Sequence, residues 1–209
     1  AFLPETMDII FEDADIVVVD KPAGLLSVPG RGADKQDSVE WRIKQQYPGA
    51  MAAHRLDMAT SGVLLVAKHK DAERYYKHGF PQRENEKPDK ALCHGHIAAS
   101  RGEIDFPLRC DWERRPRQMV CYEQGKSALT RYKVLNYEGE STRVALYPFT
   151  GRSHQLRVHL AEIGHPIIGD NLYSYPQDAQ LPRLLLHAQQ LSITDRKGRQ
   201  RHFYAPLPF

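Results

Sequence analysis

The sequence predicts an α+β fold built on a mixed, largely antiparallel sheet, and three observations carry that expectation. The run Val63-Leu64-Leu65-Val66-Ala67 is short, continuous and rich in branched side chains, as a buried strand should be. Further short apolar or β-prone stretches recur over 9–11, 16–19, 120–122, 130–135, 143–147, 184–186 and 191–193. Helical spacing is confined to a few stretches, and no internal repeat or low-complexity linker divides the 209 residues, enough to bury a proper core.

Taken in order, Ile9–Phe11 and Ile16–Val19 are predicted strands joined by the acidic turn Glu12-Asp13-Ala14-Asp15. Lys21-Pro22-Ala23-Gly24 breaks the second, because proline cannot donate to a ladder and glycine permits the turn. Asp37 or Ser38 can cap a helix running to Tyr47, with Glu40 placed to close a capping box and Val39, Ile43 and Tyr47 on one face. A second helix is expected over Asp71–Phe80, and an exposed charged loop over Pro81–Lys90. Thr150-Gly151-Arg152 leads into a third helix that Ser153 can cap, with Leu156, Leu160 and Ile163 inward and Gly164 as its stop. Arg157 is then expected on a flank, and Arg152 just before the helix start, where its charge opposes the dipole and favours an anion nearby. Leu184–Leu186 and Leu191–Ile193 read as late strands of the same sheet.

Composition narrows the function classes. Basic residues exceed acidic ones by only 29 − 26 = 3, so a polyanion partner must be argued from local clusters. Three cysteines without disulfide-like spacing point to a reducing, cytoplasmic compartment. The N-terminal stretch lacks the basic flank and long apolar core of a secretory leader, and no run approaches a membrane span. Cys93, His94 and His96 invite a metal reading, but no second ligand cluster accompanies them, and no metal is expected.

Chemistry concentrates in His54-Arg55-Leu56-Asp57-Met58-Ala59-Thr60-Ser61-Gly62, directly before the central strand. A carboxylate in a loop at the edge of a rigid sheet is placed to act outward, although the residues alone fit an N-cap or surface aspartate equally well. Trp112-Glu113-Arg114-Arg115-Pro116-Arg117-Gln118 is the densest basic patch, suited to phosphate contacts and base stacking or to plain solvation.

The segment 54–62 resembles the signature of the RluA-like pseudouridine synthases, His-Arg-Leu-Asp-x-x-Thr-Ser-Gly. Further matches follow in family order: Asp20–Gly30, Gly151–His159, Gly164–Asp170 and Leu184–Ala188. The resemblance implies a pseudouridine synthase-like fold, with helices flanking the sheet and an active-site cleft across it. It also implies one catalytic domain over 1–209, with no separate RNA-binding domain. The implied reaction breaks the bond between ribose C1′ and uracil N1, turns the base and joins C1′ to C5, with no cofactor. Asp57 is the implied catalytic carboxylate, attacking C1′ or removing a ribose proton. Arg157 is its implied guanidinium partner, able to offset the pKa rise that burial imposes on a carboxylate. Arg55 is implied to stack in the place vacated by the flipped uridine, and His54 to contact sugar or backbone. Given the family, Arg114, Arg115, Arg117 and Arg152 are expected to contact RNA. The Lys-Pro-x-Gly turn is implied to pack beside the site, with no catalytic role for Lys21.

One departure stands out. Where the family has Lys-x-Tyr-x-Ala-x-Val-x-Gly, this chain has Lys87-Pro88-Asp89-Lys90-Ala91-Leu92-Cys93-His94-Gly95, so Asp89 replaces a tyrosine that stacks on the target base. If Asp89 lies outside the pocket, some other residue, such as Tyr75 or Tyr76, has to supply the stacking face. The leading expectation is a monomeric, cytoplasmic enzyme acting on a stem-loop of large-subunit ribosomal RNA or the anticodon arm of tRNA, without membrane or obligate protein partner. The competing one is an RNA-binding module or folding helper on the same scaffold with weak or no catalysis.

Overall fold

The computed structural model describes residues 7–79 and 88–209. Its elements, in chain order, are β1 (Asp8–Glu12), β2 (Ile16–Lys21), α1 (Val39–Lys44), β3 (Met51–Ala52), β4 (Ser61–Ala67), α2 (Lys70–Gly79), β5 (Asp89–His94), β6 (Arg101–Ile104), β7 (Leu108–Cys110), β8 (Gln118–Val120), β9 (Thr130–Glu138), β10 (Ser141–Pro148), α3 (Gln155–Glu162), β11 (Leu186–Ala188), β12 (Gln190–Thr194) and β13 (Gln200–Tyr204). The chain forms two compact units, one from residues 1–82 and 187–208, the other from residues 83–186 with Phe209.

In the first unit β4 is the centre. All seven of its residues are buried, so it reads as an uninterrupted apolar run. β2 pairs with it antiparallel, β1 continues beyond β2, and His187 and Ala188 of β11 add a parallel neighbour beside Ser61 and Gly62. This makes the sheet mixed. Alternation along β2 and β4 divides the core. Val17, Val19, Leu64 and Val66 face Val39 and Ile43 of α1. Ile16, Val18, Val63 and Leu65 face Ala72 and Tyr76 of α2 and Ile193 and Phe203 of β12 and β13.

The second unit carries the antiparallel run β5-β10-β9-β6, with β7 and β8 as a separate two-stranded ribbon. α3 lies on the face to which Thr130 points. His159 Nδ1 and Gln155 Nε2 both bond Thr130 Oγ1 at 2.9 Å.

Several local expectations change. Ser38 caps α1 by accepting from the Trp41 amide, but Glu40 closes no capping box: its Oε1 accepts from the Ala52 amide at 2.9 Å, tying the helix to β3. α1 ends at Lys44 rather than at Tyr47. Ser153 does not cap α3. The cap is His154, left-handed at φ 54°, while Gln155 Oε1 accepts from the Arg152 amide. The late strand Gln190–Thr194 pairs with β13 in its own ribbon instead of extending the main sheet. Phe80 and most of the expected 81–90 loop lie outside the described residues, and Asp89 and Lys90 already belong to β5.

Gly62 shows what the β4–β11 approach demands. Its φ is +132°, and a Cβ there would sit 2.2 Å from the Ala188 carbonyl oxygen. Gly62→Ala is therefore expected to destabilise the protein by roughly 2–5 kcal/mol through strain and overpacking together. Gly139→Ala, at φ +61° with nothing within 4 Å, should cost only about 1–2 kcal/mol. Urea midpoints of the two variants measure the difference.

Candidate active site

The 53–60 loop between β3 and β4 is held by the turn that follows β2. Lys21, fully buried, donates from Nζ to the carbonyls of Pro22 (2.9 Å), Leu25 (2.5 Å) and Met58 (3.0 Å). The Gly24 amide donates to the same Met58 oxygen at 2.7 Å. Ser27 Oγ donates to the Leu56 carbonyl at 2.8 Å and accepts from the Leu56 amide at 2.9 Å. The residues on either side of Asp57 are thus fixed by one short segment, and the Thr60 amide closes the loop onto the Asp57 carbonyl at 3.0 Å. Asp57 is half-buried and Arg55 exposed. His54 faces inward in part, its Nε2 accepting from the Leu65 amide of β4 at 3.0 Å. That bond anchors the loop start, a structural duty that residue type did not reveal.

The strand that follows is pinned as well. His187 Nε2 donates to the Ala205 carbonyl at 3.0 Å, which leaves Nδ1 to accept from the Ser61 hydroxyl at 2.7 Å. This buried histidine therefore links β4, β11 and the chain's last segment.

In the second unit Arg157 is 3% exposed, not on a flank as its place off the apolar stripe suggested. Its Nε and Nη2 form a fork on Asp170, at 2.9 and 2.7 Å, and its guanidinium carbon lies 5.3 Å from the centre of the Tyr173 ring. Asp170 Oδ1 also accepts from the Leu172 and Tyr173 amides. Tyr173 Oη accepts from the Gln118 amide at 2.8 Å and pairs with His154 Nδ1 at 2.6 Å. Such a bidentate, buried pair orients a guanidinium rigidly. Arg152 bonds the Ser127 carbonyl through Nε at 2.9 Å.

The basic loop links β7 to β8. Arg114 and Arg115 are exposed, Arg114 pairs with Asp111 at 3.2 Å, and Arg115 lies 5.6 Å from the ring centre of the exposed Trp112. Arg114 and Arg117 line a groove of about 460 Å³ with Val158, Ala161 and Glu162 of α3 and with Tyr173. The structure thereby brings the basic loop and the helix of Arg157 to one groove. His54, Arg55 and Asp57 share the other unit's loop.

Asp89 opens β5 opposite Leu146, which is opposite Tyr132. Tyr132 points to the same side as Thr130, so Asp89 lies on the face that carries α3. The neighbouring Lys90 ammonium is held below its ordinary pKa by burial, against which the Asp89 charge acts. Tyr76 is 2% exposed within the core, and Tyr75 Oη donates to the Thr194 and Asp195 carbonyls. Tyr76 is therefore occupied by the core, whereas the Tyr75 ring is exposed even with its hydroxyl bonded.

His94 and His96 also have structural uses: His94 Nε2 pairs with buried Asp178 at 2.6 Å, and His96 Nε2 with the Gly139 carbonyl at 2.6 Å. Burial would raise the Asp178 pKa, but bonds from Ser174, His94 and the Gly169 amide hold it below the ordinary carboxylate range.

Ser27, Asp170 and Tyr173 are the participants that residue reasoning missed. Ser27 and Asp170 lie inside matched motifs, which was the available signal; Tyr173 carried none.

The chain matches the family model described as RNA pseudouridylate synthase over residues 15–162. It is 52% identical to the dual-specificity RNA pseudouridine synthase RluA of Yersinia pestis, covering 97% of this chain and 100% of the relative. The RluA of Escherichia coli K12 is likewise 52% identical, over 96% of this chain and 93% of that protein. Among solved structures, Human RNA Pseudouridylate Synthase Domain Containing 1 superposes with a TM-score of 0.78 at 32% identity, over 98% of this chain and 85% of that one.

His159 offers a pH test of α3's anchorage. Burial pushes its imidazole below the ordinary value of 6.5, against the bond to the Phe106 carbonyl and the charge of Asp105. The folded state then binds fewer protons than the unfolded one just below that pH, so stability must fall as pH drops from about 6.5. Urea midpoints measured from pH 7.5 down to about 5 should decline more steeply for the wild type than for His159→Gln, which does not titrate.

Proposed function

The chain belongs to the RNA pseudouridylate synthase family, and we propose that it isomerises uridine to pseudouridine in a stem-loop of large-subunit ribosomal RNA and in the anticodon arm of tRNA. That there are two targets agrees with the dual specificity in the names of the 52%-identical relatives, and which RNAs they are is what the family resemblance implies. A monomer working in the cytoplasm on RNA, with residues 1–209 as its catalytic domain, completes the reading. Among the described residues no helix is long and apolar enough to cross a membrane.

The observation that carries the mechanism is the double clamp around Asp57. A carboxylate that acts at C1′ or on a ribose proton needs a fixed approach, and hydrogen bonds to both flanking residues restrict where it can go. Asp57 acts while the C1′–N1 bond breaks; the turned base then joins C1′ through C5, which gives up its proton while N1 gains one. Arg157, pre-oriented by Asp170, is the second catalytic residue. Arg55 fills the place of the extruded uridine, as an exposed guanidinium on the same loop can, and His54 steadies that loop. Arg114, Arg115, Arg117 and Arg152 contact the RNA backbone.

Asp57→Asn should abolish turnover and leave RNA affinity within a few-fold, because the amide keeps the volume and loses the charge. Tritium release from uridine-labelled RNA, read beside a filter-binding titration, measures both; turnover by the variant would remove Asp57 from the reaction.

A second reading, weak catalysis on an RNA-binding scaffold, is favoured by Asp89. It stands on the α3 face of β5 where relatives of this family carry an aromatic platform. Base–aromatic stacking contributes about 1–3 kcal/mol, roughly tenfold to a hundredfold in occupancy of the flipped state. Asp89→Tyr is therefore expected to raise single-turnover rates. A brisk wild type that the change leaves unaltered would place Asp89 outside the base's path.

A further inference from the structure

The antiparallel sheet of the second unit has a face that the reaction does not use. Along β9, Thr130 anchors α3, while Arg131 and Lys133 alternate to the opposite side. Register carries this parity across the strands. Lys133 stands opposite Arg101 on β6 and Ala145 on β10, and Ala145 stands opposite Lys90 on β5. Lys90, Lys133 and Arg101 therefore share one transverse row, turned away from α3, with the small Ala145 between the two lysines. The adjacent row holds Arg131, opposite Tyr147 and Glu103.

Four cations and one carboxylate occupy these two rows. Arg131 pairs with Glu103 at 2.7 Å and lies 4.6 Å from the centre of the Phe149 ring. Lys133 and Arg101 are exposed and, among the described residues, neither forms an ion pair. Like charges directly opposite across strands oppose pairing, so folding by itself does not favour this arrangement. The sheet's apolar side is the other one, where Ala91, Val144, Leu146 and Ile104 are buried. Ala145 is buried and Lys90 half-buried, so the exposed part of the row is a patch of Lys133 and Arg101 on strands about 4.8 Å apart, with Arg131 beside them. It lacks the hydrophobic centre that a protein interface requires.

We propose that this row is a second RNA-binding surface, which engages phosphates of RNA outside the stem-loop that presents the target uridine. The inference rests on the isomerase reading for the identity of the polyanion. It adds that contact reaches beyond the modified loop, on the face opposite the helix of Arg157.

The test compares two RNAs: a uridine-containing stem-loop alone, and the same stem-loop extended at its base by a further duplex. Wild-type affinity should rise about tenfold or more on extension at low salt. The triple change Arg101→Gln, Arg131→Gln and Lys133→Gln should lose that gain, and its log–log salt slope on the extended RNA should fall by roughly 2–3, at about 0.7–0.9 per lost phosphate contact. Lys133→Gln alone removes the cross-strand repulsion, so it should fold with an equal or higher Tm while lowering the slope by about 0.7–0.9. It keeps the test readable if the triple variant does not fold. Equal wild-type affinity for the two RNAs would overturn the proposal, as would variants that keep the gain. So would a row that binds anionic phospholipid vesicles without competition from the extended RNA. Tritium release from the stem-loop by the wild type reports on the isomerase reading independently of the binding gain, so the two can fail separately.

Discussion

Lys21 brings an ammonium group into the interior of the first unit, and much of the candidate chemistry depends on how that charge is satisfied. A buried cation is costly unless it is hydrogen-bonded. Here three carbonyls accept from it, two in the turn after β2 and one in the loop that bears Asp57. The requirement couples the two segments: the loop cannot leave the turn without taking one acceptor from the ammonium. Ser27 and Gly24 add bonds on both sides of Asp57, so a loop with exposed residues at its tip gains a rigid base. Lys21 needs no part in the reaction to matter for it.

The second unit uses an ion pair for a comparable purpose. A buried Arg157–Asp170 pair is weak evidence for stability, since desolvation offsets much of its attraction. Its geometric effect is larger. The fork on Asp170, the amides of Leu172 and Tyr173 on the same carboxylate, and the Tyr173 ring beside the guanidinium leave Arg157 little freedom. Gln155 and His159, one turn apart on α3, attach the helix to the sheet through Thr130, so the arginine's support is itself supported.

The two units also differ in how their sheets meet solvent. β2 and β4 are covered on both faces, and their charged residues, Asp20 and Lys21, stand together at the end of β2. β9 is covered on one face only, and its alternation places Arg131 and Lys133 on the other. An antiparallel sheet with one open face tolerates polar residues there, but two cations set directly opposite each other exceed tolerance and point toward an anionic partner.

Much of this was legible in the sequence, and the boundary has a physical cause. The strand at 63–67, the break at Pro22 and a cap at Asp37 or Ser38 follow from period, ring geometry and side-chain hydrogen bonding, which act within a few residues. Motif resemblance located Asp57 and Arg157. What the sequence left open was the choice of partner. Glu40 can close a capping box or reach the Ala52 amide; Arg157 can sit on a flank or bury itself against Asp170; Lys133 can face solvent alone or stand opposite Arg101. Each alternative satisfies the residue's own chemistry, and only the folded chain decides, because the deciding atoms come from positions up to dozens of residues away and are brought close by strand register and helix placement.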